Sequence, residues 1–222
     1  MRQQQQGIMT TTNRSEYDSL YIFSSNIIAE DGESLGESMT SHIIFLCGFM
    51  GSGKTYYSNQ LKLNDKKREW DFIDLDCWIA QSNSIEPENL GEKIREKGWE
   101  WFRAQENKFI EILLERKGLS SKFNLVCSLG GGSLNLQILT RIKNSSDAWI
   151  VWIDVPFVEI YERIKNDQNR PMVQQKTKKE LEQLYQDRAA LYSQADLKLK
   201  PIELAKFSSP QGLLEKLQES KA

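Results

Sequence analysis

Gly48-Phe49-Met50-Gly51-Ser52-Gly53-Lys54-Thr55 follows the apolar run Ile43-Ile44-Phe45-Leu46-Cys47 and fills every position of the pattern Gly-x4-Gly-Lys-Thr, the loop that cradles nucleotide phosphates. Glycines let the backbone curl until successive amides face phosphate oxygens, and a helix opening at the loop adds the positive end of its dipole. In that reading Lys54 reaches the β- and γ-phosphates, and the Thr55 hydroxyl takes a coordination place on Mg2+. The competing reading is a chance match on a solvated loop. Position argues against it, because the pattern stands after a buried-strand run and before a helix-compatible stretch, where the mechanism requires it.

The chain around this loop has 222 residues, 39% of them apolar, which suits one domain with a tail. Its formal net charge of -2 carries no electrostatic footprint for nucleic acid or an acidic membrane surface. No apolar stretch approaches the roughly 20 residues that span a bilayer. Cys47, Cys77 and Cys127 are odd in number, far apart and set in apolar segments; they read as reduced core thiols of a cytoplasmic protein. His42 is the only histidine, so His-centred triads and multi-histidine metal sites are excluded.

Residues 1–40 differ from the rest. Gln3 to Gln6 open a stretch of Thr, Ser, Asn and Gly broken by one apolar patch around Leu20-Tyr21-Ile22-Phe23 and Ile27-Ile28, the composition of a flexible extension. An organellar transit peptide is the alternative, but such peptides are rich in arginine and poor in acids. Here Glu16, Asp18, Glu30, Asp31, Glu33 and Glu37 outnumber Arg2 and Arg14.

From residue 41 to the end, short β-rich runs alternate with helical patterns, which predicts an α/β fold with a parallel sheet covered by helices. Strands are expected at 42–47, 71–75, 124–129, 148–155 and 196–200. Helices are expected near 54–63, 100–117, 134–144, 156–166, 178–195 and 210–220. Ligands of such sheets bind at the carboxyl ends of the strands, so chemistry should gather at Gly48 to Thr55, Asp74 to Asp76, Gly130 to Gly132 and the segment after the fourth strand.

Each of those places carries residues suited to it. Asp74 and Asp76, one residue apart at the end of the second strand, can serve a Mg2+-bound water and a substrate hydroxyl respectively, or be a solvated strand end. At about 100° per residue, Phe102, Phe109, Ile110, Leu113 and Leu114 share one arc opposite Lys108, Glu111 and Glu115, and Arg103 and Glu106 fall inside the apolar arc. Charges on an inward face are costly unless paired or used. Either they form a structural salt bridge, or Glu106 orients Arg103 to grip a substrate carboxylate with two parallel hydrogen bonds. Arg188 occupies a slot in the stripe Leu181, Leu184, Tyr185, Leu191, Tyr192, Ala195 and aims at an anion in the cleft or snorkels at the margin. Gly130-Gly131-Gly132 after the third strand lets a ligand approach bare backbone, whereas a plain turn needs fewer glycines.

The ordered set Gly48 to Thr55, Asp74-x-Asp76, Phe102-Arg103-x-x-Glu106, Gly130-Gly131-Gly132, Arg170-Pro171 and Arg188-x-x-x-Tyr192 resembles shikimate kinase over residues 41–220. The resemblance implies a P-loop kinase fold of the nucleoside monophosphate kinase type, a five-stranded parallel sheet flanked by helices, with a lid at about 166–178. It implies transfer of the ATP γ-phosphoryl group to the 3-hydroxyl of shikimate, giving ADP and shikimate 3-phosphate for chorismate and aromatic amino acid synthesis. By motif, Asp76, Arg103, Gly130, Gly131, Gly132 and Arg188 would bind shikimate, the two arginines holding its carboxylate. Thr55 and Asp74 would serve Mg2+. Gly51, Ser52, Gly53, Lys54, Thr55 and Tyr56 would hold ATP, Arg163 would lie over adenine, and the lid residue Arg170 would reach the transferring phosphoryl group. Lys54, Asp76 and Arg170 would then be the catalytic set, with Asp76 a general base or an orienting group. A cytoplasmic monomer with no nucleic-acid or membrane partner is expected.

The pattern also departs from that family. Gly98 is followed by Trp99 rather than an acidic residue, Ile94 stands where a phenylalanine is common, and Ser84 to Gly98 is longer by about five residues. Two rivals stay open at this point: another small-molecule kinase of the same fold, such as a gluconate kinase, and a binding paralogue without catalysis.

Overall fold

The computed structural model describes residues 41–115, 124–167 and 170–221. The expected extension 1–40 and the end of the expected helix 100–117 lie outside them. The chain divides into the units Met1–Glu37 and Ser38–Ala222, and the described residues belong to the second.

Strands β1 (Ile43–Cys47), β2 (Trp70–Asp74), β3 (Asn124–Ser128), β4 (Ala148–Ile153) and β5 (Leu197–Leu199) form one five-stranded sheet in the order β2-β3-β1-β4-β5. Every neighbouring pair is parallel. The central strands read as unbroken apolar runs because helices cover both faces; all six residues of β4 are buried. Leu61, Ile79, Ile110, Ile138 and Ile160 reach 0% exposure on the covering helices, each contributing about 1.5–3 kcal/mol by leaving water.

Helices α1 (Lys54–Asn64), α2 (Leu75–Ser82), α3 (Leu90–Lys97), α4 (Trp99–Glu115), α5 (Leu136–Lys143), α6 (Phe157–Ile164), α7 (Pro171–Gln175), α8 (Lys178–Tyr192), α9 (Pro201–Leu204) and α10 (Pro210–Lys221) complete the described fold. The chain leaves β1 for β2 and β3 on one side, then crosses to β4 and β5 on the other. Connections that diverge from β1 in this way open a crevice at the strands' carboxyl ends. Among the described residues, no helix is long and apolar enough to cross a membrane.

Several expectations change in detail. Asp74 and Asp76 are not a shared strand end: Asp74 caps α2, its Oδ1 accepting from the amides of Asp76 at 3.2 Å and Cys77 at 3.3 Å, and Asp76 lies in the first helical turn. The helix begins at once because an N-cap carboxylate satisfies the orphan amides. Helices α7 and α9 escape periodicity because they span only five and four residues, whereas α2 starts directly at the end of β2 and α3 directly after the 3-10 turn Pro87–Asn89. Helix α8 stops at Tyr192, short of Ala195, and only Leu181 and Tyr192 of its apolar stripe are buried. Leu184, Tyr185 and Leu191 are half-buried, as is Leu114 on the expected apolar arc of α4. Cys47 and Cys127 are buried thiols, whereas Cys77 is only half-buried.

Candidate active site

The phosphate loop separates two cavities. Met50 lines a cavity of about 460 Å³ together with Asp76, Arg103, Arg170 and Arg188. Gly51, Ser52 and Gly53 line a second, of about 490 Å³, with Tyr56 and Arg163. Gly51 has φ 80° and a Cβ there would meet Ile164 Cγ2 at 2.5 Å, so the turn at the loop's centre admits only glycine.

Lys54 opens α1 and folds over the loop, donating to the carbonyls of Gly48 at 2.8 Å and Phe49 at 3.2 Å. Burial lowers its pKa to about 8, against the opposing pull of Asp76. An ammonium resting on carbonyls inside a nest of amides is poised for phosphate. Thr55 Oγ1 donates to Asp74 Oδ2 at 2.7 Å. A hydroxyl and a carboxylate side by side fit Mg2+, which is commonly held by one or two such groups plus substrate phosphates and waters.

In the first cavity, Asp76 Oδ1 is buried and has no hydrogen-bond partner. Burial, with Asp74 and Glu106 nearby, raises its pKa to about 7. An unpaired buried acceptor costs free energy until a donor arrives, and a substrate hydroxyl is such a donor.

Arg103 projects from α4 one turn before Glu106, whose side chain is fully buried. Glu106 accepts from Arg103 Nη1 and from the Ser133 hydroxyl. Burial raises the Glu106 pKa, with Arg103 and Ser133 opposing it. Arg188, from α8, lies over the Phe49 ring at 5.4 Å, and its pKa is lowered by burial and by Arg103. Both arginines reach Gly132: a Cβ there would collide with Arg103 Nη2 and stand 2.8 Å from Arg188 Nη2. Two guanidinium groups converging on bare backbone repel each other, and an anion between them relieves that repulsion.

The same loop is anchored from below. Tyr192 OH donates to the Gly131 carbonyl, one helical turn beyond Arg188, so α8 presents the arginine and fixes the glycines together. Tyr185 OH donates to Val155 O at 3.1 Å and holds α8 against the end of β4.

Arg170 lines the first cavity and its Nε donates to Asp167 Oδ2 at 2.7 Å. Arg163 Nη1 donates to Gly51 O at 3.2 Å on the second cavity. The expected polar segment 166–178 contains α7, and its apolar residues Pro171 and Met172 line the first cavity beside Arg170. Sequence reading missed Ser133 as a ligand of Glu106 and Trp99 as a wall of the first cavity. A hydroxyl immediately after a glycine triplet was the available signal for Ser133; for Trp99 the signal was its place after Gly98, where the family usually carries an acidic residue.

Residues 50–216 match the family model described as shikimate kinase. A shikimate kinase from Persephonella marina is 35% identical over 156 residues, 70% of this chain and 87% of that protein. The crystal structure of shikimate kinase from Aquifex aeolicus matches with a TM-score of 0.58 and 29% identity over 81% of this chain and 95% of that one. A shikimate kinase from Acinetobacter baumannii, solved in complex with shikimate, shares the fold at a TM-score of 0.64 and 22% identity, with 82% and 96% of the two chains covered. The phosphate loop, the arginine pair over the glycine loop and these likenesses agree: the chain belongs to the shikimate kinase family.

Proposed function

We propose that this protein transfers the ATP γ-phosphoryl group to the 3-hydroxyl of shikimate, releasing ADP and shikimate 3-phosphate. The observation that carries the reading is the convergence of Arg103 and Arg188 on Gly132 in the cavity that also holds the unpartnered Asp76 Oδ1. A carboxylated polyol satisfies both ends of that arrangement. The carboxylate lies between the guanidinium groups, and a hydroxyl donates to Asp76.

Phosphoryl transfer depends on in-line positioning and on compensation of negative charge. The acceptor oxygen bonds to the γ-phosphorus as the bond to the β-phosphate bridging oxygen breaks, and the hydroxyl proton passes along its hydrogen bond to Asp76. Lys54 and Arg170 place positive charge about the transferring group. Gly51, Ser52, Gly53, Thr55 and Tyr56 hold the triphosphate side of ATP, and Arg163 lies beside the base. Thr55 and Asp74 would hold Mg2+, which when bound would neutralise phosphate charge. Gly130, Gly131 and Gly132 bring backbone against shikimate.

Residues 166–178 act as a lid that excludes water once both ligands are in place, and residues 1–40 are an extension outside the catalytic domain. The free thiols suit a reducing cytoplasm, and the protein acts there as a monomer.

The test is ADP release from the purified protein. Turnover with ATP and shikimate and none with gluconate is the expected outcome. Turnover on gluconate would favour a different acceptor, and ATP binding without turnover on either would favour a paralogue without catalysis.

A further inference from the structure

Helix α4 opens at Trp99, directly after the Gly98 cap of α3. Arg103 follows four residues later, on the same helical face. The Arg103 Cζ lies 5.3 Å from the centre of the Trp99 ring and 5.5 Å from that of Phe102. The two rings meet edge to face, 6.1 Å apart at 74°. Glu106 thus holds the guanidinium by hydrogen bonding while two aromatic rings bound it.

Trp99 differs from the core tryptophans in where its surface goes. Trp70, Trp78, Trp149 and Trp152 are all exposed by 5% or less. Trp99 is half-buried and opens onto the cavity it shares with Asp76, Arg103 and Arg188. Met50, Leu90 and Ile94 continue the apolar wall there. A large aromatic surface facing a polar cavity suits an occupant with an apolar face of its own.

We propose that Trp99 is an acceptor-positioning residue: its indole fixes the plane of the Arg103 guanidinium and forms the wall against which the carbon ring of a carboxylated cyclic polyol lies. The inference rests on the shikimate reading of this cavity and deepens it. Two-pronged recognition of a carboxylate needs an oriented guanidinium plane. A ring stacked on that plane supplies the orientation by cation–π attraction, and the same indole covers the acceptor's carbon skeleton.

Steady-state kinetics of the full-length protein test this with Trp99→Ala, Trp99→Phe and Trp101→Ala. Trp101 is also half-buried at the start of α4 but lines neither cavity, so it controls for simple loss of an aromatic. Trp99→Ala should raise KM for shikimate about tenfold, with KM for ATP within twofold of the parent and kcat falling less than KM rises. Trp99→Phe should recover most of the affinity, and Trp101→Ala should leave KM for shikimate unchanged. Shikimate should also change the tryptophan emission of the parent and of Trp101→Ala, and do so far less in Trp99→Phe. Equal KM for shikimate in the parent and Trp99→Ala would overturn the inference while leaving the assigned reaction intact. So would parallel losses in Trp99→Ala and Trp101→Ala, or equal weakening of both substrates. Absence of shikimate turnover by the parent would instead remove the functional reading, and this inference with it.

Discussion

At the scale of single residues, the cations proposed for the phosphates and for the substrate carboxylate differ in how they are held. Lys54 sits on two loop carbonyls and is half-buried in the loop it serves. Lys54→Met keeps much of the volume and removes the charge, so the fold should persist while kcat drops by about 10²–10³; near-parental ADP release in a coupled assay would remove Lys54 from the mechanism. Arg103 and Arg188 share a target at Gly132. Arg103→Ala or Arg188→Ala should weaken shikimate binding by about 2–5 kcal/mol and ATP binding much less. Calorimetry checks the split, and equal loss of both ligands would indicate a structural role. Arg103→Lys should fare poorly as well, because a point charge cannot reproduce the planar fork. The inward-facing Arg103 and Glu106 were legible in the sequence because a charge on an apolar helical arc demands a partner. Ser133, the second donor to Glu106, is 27 positions away, and no local pattern couples them.

At the scale of elements, α8 does two jobs from adjacent turns. Thr177 and Glu180 start it with a reciprocal capping box, satisfying amides that would otherwise be orphaned. Farther along, Arg188 faces the cavity and Tyr192 holds the Gly131 carbonyl. Tyr192→Phe removes one hydrogen bond and should cost about 1 kcal/mol of stability. Its kinetic signature should be a raised KM for shikimate with ATP affinity retained, because the glycine loop belongs to the first cavity. An unchanged shikimate KM, measured beside a lowered thermal midpoint, would confine Tyr192 to packing. The β-strands were readable from apolar runs, to within two residues at each end. Helix α2 was not, because Asp74 ends a strand and caps a helix with the same side chain, and the change of period begins without any intervening loop.

At the scale of the whole molecule, the segments proposed as lid and extension should respond differently to ligands. Binding of nucleotide and shikimate together should protect residues 166–178 from hydrogen exchange, since closure excludes water. Deleting residues 1–40 should leave kinase activity and thermal stability nearly unchanged, because their composition is poor in core-forming side chains. Protection of 1–40 with none in 166–178, or loss of activity on truncation, would reverse those roles. The phosphate loop, the alternating β and α plan and the chemical class of each candidate site residue could be read from the chain alone, because these follow from short-range periodicity and from side-chain chemistry at fixed spacing. Packing alone settled that Met50 and Gly51 line different cavities, that Arg103 and Arg188 meet at Gly132, that Asp76 keeps an unpaired oxygen and that the Arg103 guanidinium lies over the Trp99 ring. Those facts depend on the order in which parallel strands assemble and on helices packed across them. Both are set by burial of surfaces far apart in the chain, where no local spacing carries the information.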